Sequence, residues 1–267
     1  MRCLILEIGE ILNDAVHYPL DHPKDLLVYI ILDIIITIMG IAIGAGSLLH
    51  SAQSDIPNII TSMTSSGAVP AFNYFIRNAG TIGIVIVLII MIINLFINGY
   101  GLDIIKLGIE RRDEGPKIDI VRQIINGIKI LVINFVYMFI PLIIMLILMQ
   151  IHEIIGGIIG IVLLVLFAFG LLMAQCRLAK NEKITDALNI AEAFNDIKKV
   201  GIIKILATVL VIFIIGIVLE FILSAIVRLL IPLGLNLFIG PILAALVGAY
   251  IFFLSYRAIG LMYSDAE

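Results

Sequence analysis

The sequence predicts an all-α, polytopic integral membrane protein: six transmembrane helices in three parallel hairpin repeats, with cytoplasmic interfacial amphipathic helices. Three observations carry this expectation. Of 267 residues, 62% are hydrophobic and only 14% are charged. The mean hydropathy of +1.19 is far from the balance of a soluble globular domain. Next, six windows with few or no charges lie near 27–49, 80–102, 130–151, 155–176, 205–227 and 234–256. Each is long enough to cross a hydrocarbon core of about 30 Å. Lipid offers the backbone no hydrogen bonds, so segments of this kind must satisfy their own as helices. Third, the 17 Lys and Arg residues divide 15 to 2 between the two sides that six spans create.

That division sets the orientation. Arg2 and Lys24 precede the first span, and Arg257 follows the last. Between spans two and three stand Lys106, Arg111, Arg112, Lys117, Arg122 and Lys129; between four and five stand Arg177, Lys180, Lys183, Lys198, Lys199 and Lys204. Only Arg77 and Arg228 fall opposite. The positive-inside rule then places both termini and the two charged loops in the cytoplasm. The densest charge run, nine charges from Asp103 to Asp119, is explained as the end of span two and a Gly-Pro turn. Reduced thiols are expected for Cys3 and Cys176, which both lie on the cytoplasmic side. No cleaved signal peptide is expected, because Glu7, Glu10 and Asp14 stand where an apolar h-region would be.

The elements follow in order. "ILEIGEILNDAVHYP" carries Leu4, Ile8, Ile11, Leu12 and Ala15 at helical spacing, and reads as an amphipathic helix before the first span. "IDIVRQIINGIK" repeats the pattern with Val121, Ile124, Ile125 and Ile128, opposite Arg122, Gln123 and Lys129. "ITDALNIAEAFNDIKK" does so again with Ile184, Ala187, Leu188, Ala191 and Phe194. The even spans end alike, in "NGYGLDIIK", "AQCRLAK" and "SYRAIG". The inferred unit is an interfacial helix, a span out and a span back, used three times in one membrane domain over 1–267. The units run roughly 1–112, 113–183 and 184–267. Two outer connections are short, "IHEIIGG" and "RLLIPLGLN", while 50–80 forms a long external segment. Pro141, Pro232 and Pro241 are expected to kink or end helices.

Gly99-Tyr100, Arg111, Gly115-Pro116 and the run ending Asn126-Gly127 carry a family resemblance, with Tyr18-Pro19 before the first span and Arg177 followed by Asp186-Ala187. Over most of its length the chain resembles an uncharacterised prokaryotic membrane family, domain of unknown function 4013, common in methanogenic archaea and some bacteria. It departs from that family's aromatic-rich pattern after the Gly-Pro, where Lys117-Ile118-Asp119 stand. The resemblance implies a multi-pass protein of the cell membrane and supplies no activity.

Candidate chemistry is sparse. Asp33 in the first span and Glu220 in the fifth are ionisable groups inside the membrane, which count by default as functional candidates. Their depths differ by on the order of 10 Å at 1.5 Å rise per residue, so they are not expected to pair. Asn94, Asn98 and Asn134 fit interhelical hydrogen bonds, and Gly40, Gly44, Gly156 and Gly160 fit close helix approach. His17, Asp21 and His22 lie near one another but lack further ligands, and His152-Glu153 lacks a second His. No metal or cofactor is expected. With no G-x-S-x-G, P-loop or C-x-x-C present, no catalytic motif anchors an enzyme. The acidic face Glu7, Glu10 and Asp14 is expected to dock on basic positions such as Lys198 and Lys199. The basic loops suit anionic lipid headgroups; nucleic acid is not indicated. The favoured function is a non-enzymatic interaction or accessory component of the membrane, with an unspecified protein partner or second copy. The alternative is a small-solute or cation transporter using Asp33 and Glu220.

Overall fold

A computed structural model describes residues 7–52 and 68–264, which contain helices and turns and no strand. In chain order they form α1 (Ile8–Asp21), α2 (Pro23–Ala52), α3 (Ala68–Ile109), α4 (Ile120–Ile151) and α5 (Glu153–Asn181). Then come α6 (Ile184–Ala187), α7 (Ile190–Val200), α8 (Ile202–Leu230), a 3-10 turn (Ile231–Leu233) and α9 (Asn236–Tyr263). Among the described residues, five segments are long and apolar enough to cross a membrane: Gly83–Ile109, Ile120–Ile151, Glu153–Asn181, Ile202–Leu230 and Ile239–Tyr263. The window expected at 27–49 lies within the 30-residue α2. Of the long external segment, residues 53–67 fall outside the described residues, as does Leu4 of the first amphipathic run.

The chain divides into two compact units. One is Ile30–Asn94, most of α2 with the first part of α3. The other combines Met1–Tyr29 with Leu95–Glu267, and all the packing described next belongs to it.

Local chemistry sets the helix ends. α1 opens with a capping box, in which the Glu10 carboxylate accepts from the Glu7 N–H at 3.0 Å. It runs through Pro19 to Asp21, so the break before α2 falls at His22. Asp119 caps α4 by accepting from the Arg122 N–H at 3.1 Å. Between α4 and α5 the expected loop "IHEIIGG" shrinks to the single residue His152, in extended conformation. Gly156 and Gly160 permit this tight turn, because a Cβ at either would collide with the Leu148–Met149 backbone or the Met145 side chain of α4. Gly201, at φ +93°, separates α7 from α8. Pro141 and Pro241 sit inside α4 and α9, while Pro232 lies in the 3-10 turn.

The second expected amphipathic helix is not a separate element; it forms the first turns of α4, and its faces are reversed. Gln123 is completely buried and Asn126 nearly so, while Val121 is 69% exposed and Ile125 and Ile128 are also exposed. In water this would be inside out. Beside lipid it is the favourable arrangement, since the polar side chains find partners only within the protein.

The dry core lies where α1, α6 and α7 meet the ends of α3, α5 and α9. Ile11, Ile105, Met173, Leu178, Ala193 and Leu261 belong to it. Farther along, α8 is only 11% buried in its apolar window, and α9 28%. The contrast has a physical cause. Burial of apolar surface drives association where water is the alternative, and adds little between helices already in lipid.

Candidate functional site

Six charged residues of this unit pair into three ion-pair locks, each with one buried member, at the end of the bundle that holds the core. In the first, Arg122 at the start of α4 donates Nη1 and Nη2 to the two carboxylate oxygens of Asp103 on α3, at 2.8 and 2.9 Å. Gln123 adds a hydrogen bond to Asp103 Oδ2 at 2.9 Å and another to the Lys117 carbonyl at 3.1 Å. In the second, Arg177 on α5 reaches Asp196 Oδ2 on α7 at 2.9 Å and the Asp186 carbonyl at 2.9 Å. Tyr263 and Lys199 complete the Asp196 carboxylate, at 2.7 and 3.0 Å. In the third, Arg257 on α9 holds both oxygens of Asp14 on α1, at 2.7 and 3.1 Å, and the Arg112 carbonyl at 2.8 Å. Its guanidinium lies 4.6 Å from the Tyr18 ring centre, a cation–π contact.

The first two locks share a spacing: 19 residues separate the partners in each, with the charge signs exchanged. The first joins the end of α3 to the start of α4, and the second joins the end of α5 to α7, with α6 between them in the chain. The third joins the end of α9 to α1, the segment preceding α2. Asp103, Asp196 and Arg257 are the buried charged side chains among the described residues, and each sits in a lock. A buried charge is tolerable only when paired and hydrogen-bonded; bidentate guanidinium contacts meet both demands at Asp103 and Arg257, and Arg177, Lys199 and Tyr263 together meet them at Asp196.

Further contacts tie the layer together. Lys106 on α3 pairs with Glu182 at 2.5 Å, and Lys129 on α4 donates to the Glu182 carbonyl at 3.0 Å. Glu182 adopts the left-handed conformation at the C-terminus of α5, with φ 58°. That position ordinarily favours glycine; Lys106 holds the Glu182 side chain there and Lys129 its carbonyl. The Lys106 hydrogen bond holds the Glu182 carboxyl below the usual range. A cavity of about 230 Å³ opens beside the first lock, bordered by Lys106, Arg112, Glu114, Lys117 and Arg122.

Burial pushes the Asp196 carboxyl up, and the hydrogen bonds from Tyr263, Arg177 and Lys199 outweigh it, leaving the group below its ordinary range. A depressed folded-state pKa contributes stability above the unfolded value, about 4, and that contribution disappears as pH falls through the folded value. Acidification below about pH 4 is therefore expected to release α7 from α5. Labelling of buried Cys176 by dithiodipyridine, which still reacts with thiols in acid, should accelerate over that window in a Cys3→Ser background. Asp196→Asn should label faster at neutral pH and show a weaker pH step. An identical step in both proteins would assign the transition to other carboxylates.

The sequence-predicted candidates are placed as follows. Asp33 is half-buried on α2, in the Ile30–Asn94 unit. Asn94, also in that unit, donates to its own helix at the Ile90 carbonyl, 2.9 Å away. Asn134 accepts from Gln175 at 3.3 Å, an α4–α5 bond. Glu220 is exposed on α8, beside a groove lined by apolar side chains. The acidic face of α1 does not take the partners expected of it. Asp14 meets Arg257, Glu10 turns back to the α1 N-terminus, and Lys199 is engaged by Asp196, three residues before it on α7. The reason is the position of α1, which packs along α9. His17 and His22 bond to backbone carbonyls one turn earlier in α1, at Asn13 and Tyr18. The lock residues Asp103, Arg122, Arg177, Asp196 and Arg257 are absent from the sequence-based candidates. An opposite-charge pair recurring at a 19-residue interval was the signal available for two of the locks.

Both carboxylates buried in the layer have their two oxygens occupied, which suits it to holding helices in register. No curated protein and no solved structure matches the chain. A family model described as a protein of unknown function, DUF4013, matches residues 82–228, a little over half of the chain. That stretch includes Gly99-Tyr100, Gly115-Pro116, Asn126-Gly127, Arg177 and Asp186-Ala187, and with them two of the three locks. The chain is thus a member of the DUF4013 family of membrane proteins of unknown function.

Proposed function

We propose that this protein is a six-span, non-enzymatic component of a prokaryotic plasma membrane, built from three parallel hairpins and acting through interactions with other membrane constituents. The supporting observation is the locked layer: the buried charges of the described residues are consumed in helix-to-helix pairs, while the lipid-facing lengths of the helices carry apolar surface. α2 supplies the sixth span, and the 15-to-2 division of basic residues puts the termini and the locked layer in the cytoplasm. There the cavity edge formed by Lys106, Arg112 and Lys117 meets anionic headgroups at the inner leaflet.

Single cysteines test the topology. Glu114→Cys and Asn195→Cys should label only from the cytoplasmic side, and His152→Cys only from outside. Labelling of all three from one side would overturn the hairpin arrangement. Reconstituted vesicles test the activity: solute and cation flux should equal that of protein-free vesicles. Flux abolished by Asp33→Asn or Glu220→Gln would replace this reading with the transporter.

A further inference from the structure

We propose that the open face of α8 around Glu220 docks a transmembrane helix of another protein, one carrying a basic side chain near the middle of the membrane. The proposal names the partner surface of the accessory role given above and rests on that role.

Glu220 lies four residues from the midpoint of α8, about 6 Å along the axis and well inside a hydrocarbon core of about 30 Å. It is exposed, and no described residue partners it. Arg228, on the same helix, is two turns away, about 12 Å along the axis. Ionisable groups at such depth almost always face the bundle interior or pair with another group. Glu220 instead faces outward, next to a groove of about 690 Å³ formed with Phe213, Gly216, Ile217, Phe221 and Ile251.

The groove has the form of a helix seat. Gly216 lies one turn from Glu220, and a Cβ built there would meet nothing within 4 Å. A second backbone can therefore approach α8 closely at that point, as small residues permit elsewhere in membranes. α8 is also the least covered of the candidate spans, at 11% of its window. The carboxylate determines what fits. Two copies related by a twofold axis normal to the membrane would set Glu220 against Glu220, so like charges disfavour self-association through this face. A lipid amine resides at the headgroup level, above the groove. A helix with a lysine or arginine at matching depth satisfies the carboxylate, while Gly216 and the aromatic rim take its apolar surface.

The test uses full-length protein in phosphatidylcholine vesicles, with two synthetic 21-residue polyleucine helices, one bearing a single Lys at its midpoint. Energy transfer between labelled protein and peptide reports association. The Lys peptide should bind about three- to thirtyfold more tightly than the all-Leu peptide. Glu220→Leu should abolish that preference, Glu220→Gln should reduce it, and Gly216→Ile should block both peptides. Protection of Cys176 from labelling shows that each variant is folded. Equal binding of the two peptides, or a preference unchanged in Glu220→Leu, overturns the proposal. So does loss of the preference when phosphatidylethanolamine is added, or energy transfer between two protein copies that needs Glu220. Flux assayed in the same vesicles fails or supports the accessory role separately from the peptide result.

Discussion

Replacing Asp14 by leucine is expected to destabilise the protein by about 3–5 kcal/mol, more than replacing its partner Arg257 by methionine. The asymmetry comes from exposure. The Arg257 side chain is 2% exposed and that of Asp14 is 41% exposed. Removing Asp14 leaves a guanidinium buried with only the Arg112 carbonyl and the Tyr18 ring as partners. Removing Arg257 leaves a carboxylate that water can reach, and the cost falls to about 2 kcal/mol. Arg257→Lys should lie between wild type and Arg257→Met, because one ammonium cannot serve both Asp14 oxygens and the Arg112 carbonyl together. Cys176 reports the result. It is fully buried, its Sγ lies 3.8 Å from the carbonyl of Ile259, and Ile259 is two residues beyond Arg257 on α9. In detergent, with Cys3→Ser as background, the thermal midpoint for thiol labelling should fall in the order wild type, Arg257→Lys, Arg257→Met, Asp14→Leu. Equal midpoints for Asp14→Leu and wild type would mean that α1 is held by apolar packing alone.

The same residues show how far sequence reasoning reaches. Helices suited to the membrane were legible because the bilayer imposes a length, and an apolar window of that length has few other readings. The acidic stripe of α1 was legible as periodicity, but its partner was not: Asp14 and Arg257 are 243 residues apart, and no local rule joins them. Arg122 and Arg177 were visible as charges and were assigned to topology, since a positive-inside signal and a buried ion pair draw on the same residue types. The start of α4 shows a different limit. Periodicity identified the stripe of Val121, Ile125 and Ile128, yet it carries no information on whether water or lipid lies opposite. In α7 the expected stripe is shifted as well: Ala191 is exposed, while Ala193, Asp196 and Ile197 are buried. The His152 turn was missed because loop length follows from how closely two helices can approach, which Gly156 and Gly160 decide only in three dimensions.

The second large effect is expected at the crossing of α3 and α4. Gly99 faces the Gln123 backbone and Gly127 faces the Leu95 backbone, each so closely that a Cβ would overlap a carbonyl oxygen. A side chain could swing away, but a helix carbonyl cannot, so Gly99→Ala or Gly127→Ala must push the helices apart. Overpacking alone costs about 1–3 kcal/mol. Here it acts on a charge as well. Asp103 is one turn from Gly99, and its partners Arg122 and Gln123 sit on the strip of α4 that would be displaced. Separation would leave Asp103, only 6% exposed, buried without its counter-charge, a loss of a further about 3–5 kcal/mol if complete. The two costs share one displacement and will not simply add; a total of about 4 kcal/mol would exhaust much of a typical stability. Gly248→Ala on α9, where nothing lies within 4 Å of the new methyl, should shift stability by no more than about 0.5 kcal/mol. Folded yield after membrane extraction and the Cys176 labelling midpoint should thus collapse for both crossing variants and hold for Gly248→Ala. Asp103→Asn in the Gly99→Ala background separates the two causes: because it removes the stranded charge, it should recover part of the midpoint if the lock is what fails, and none if steric separation alone is responsible.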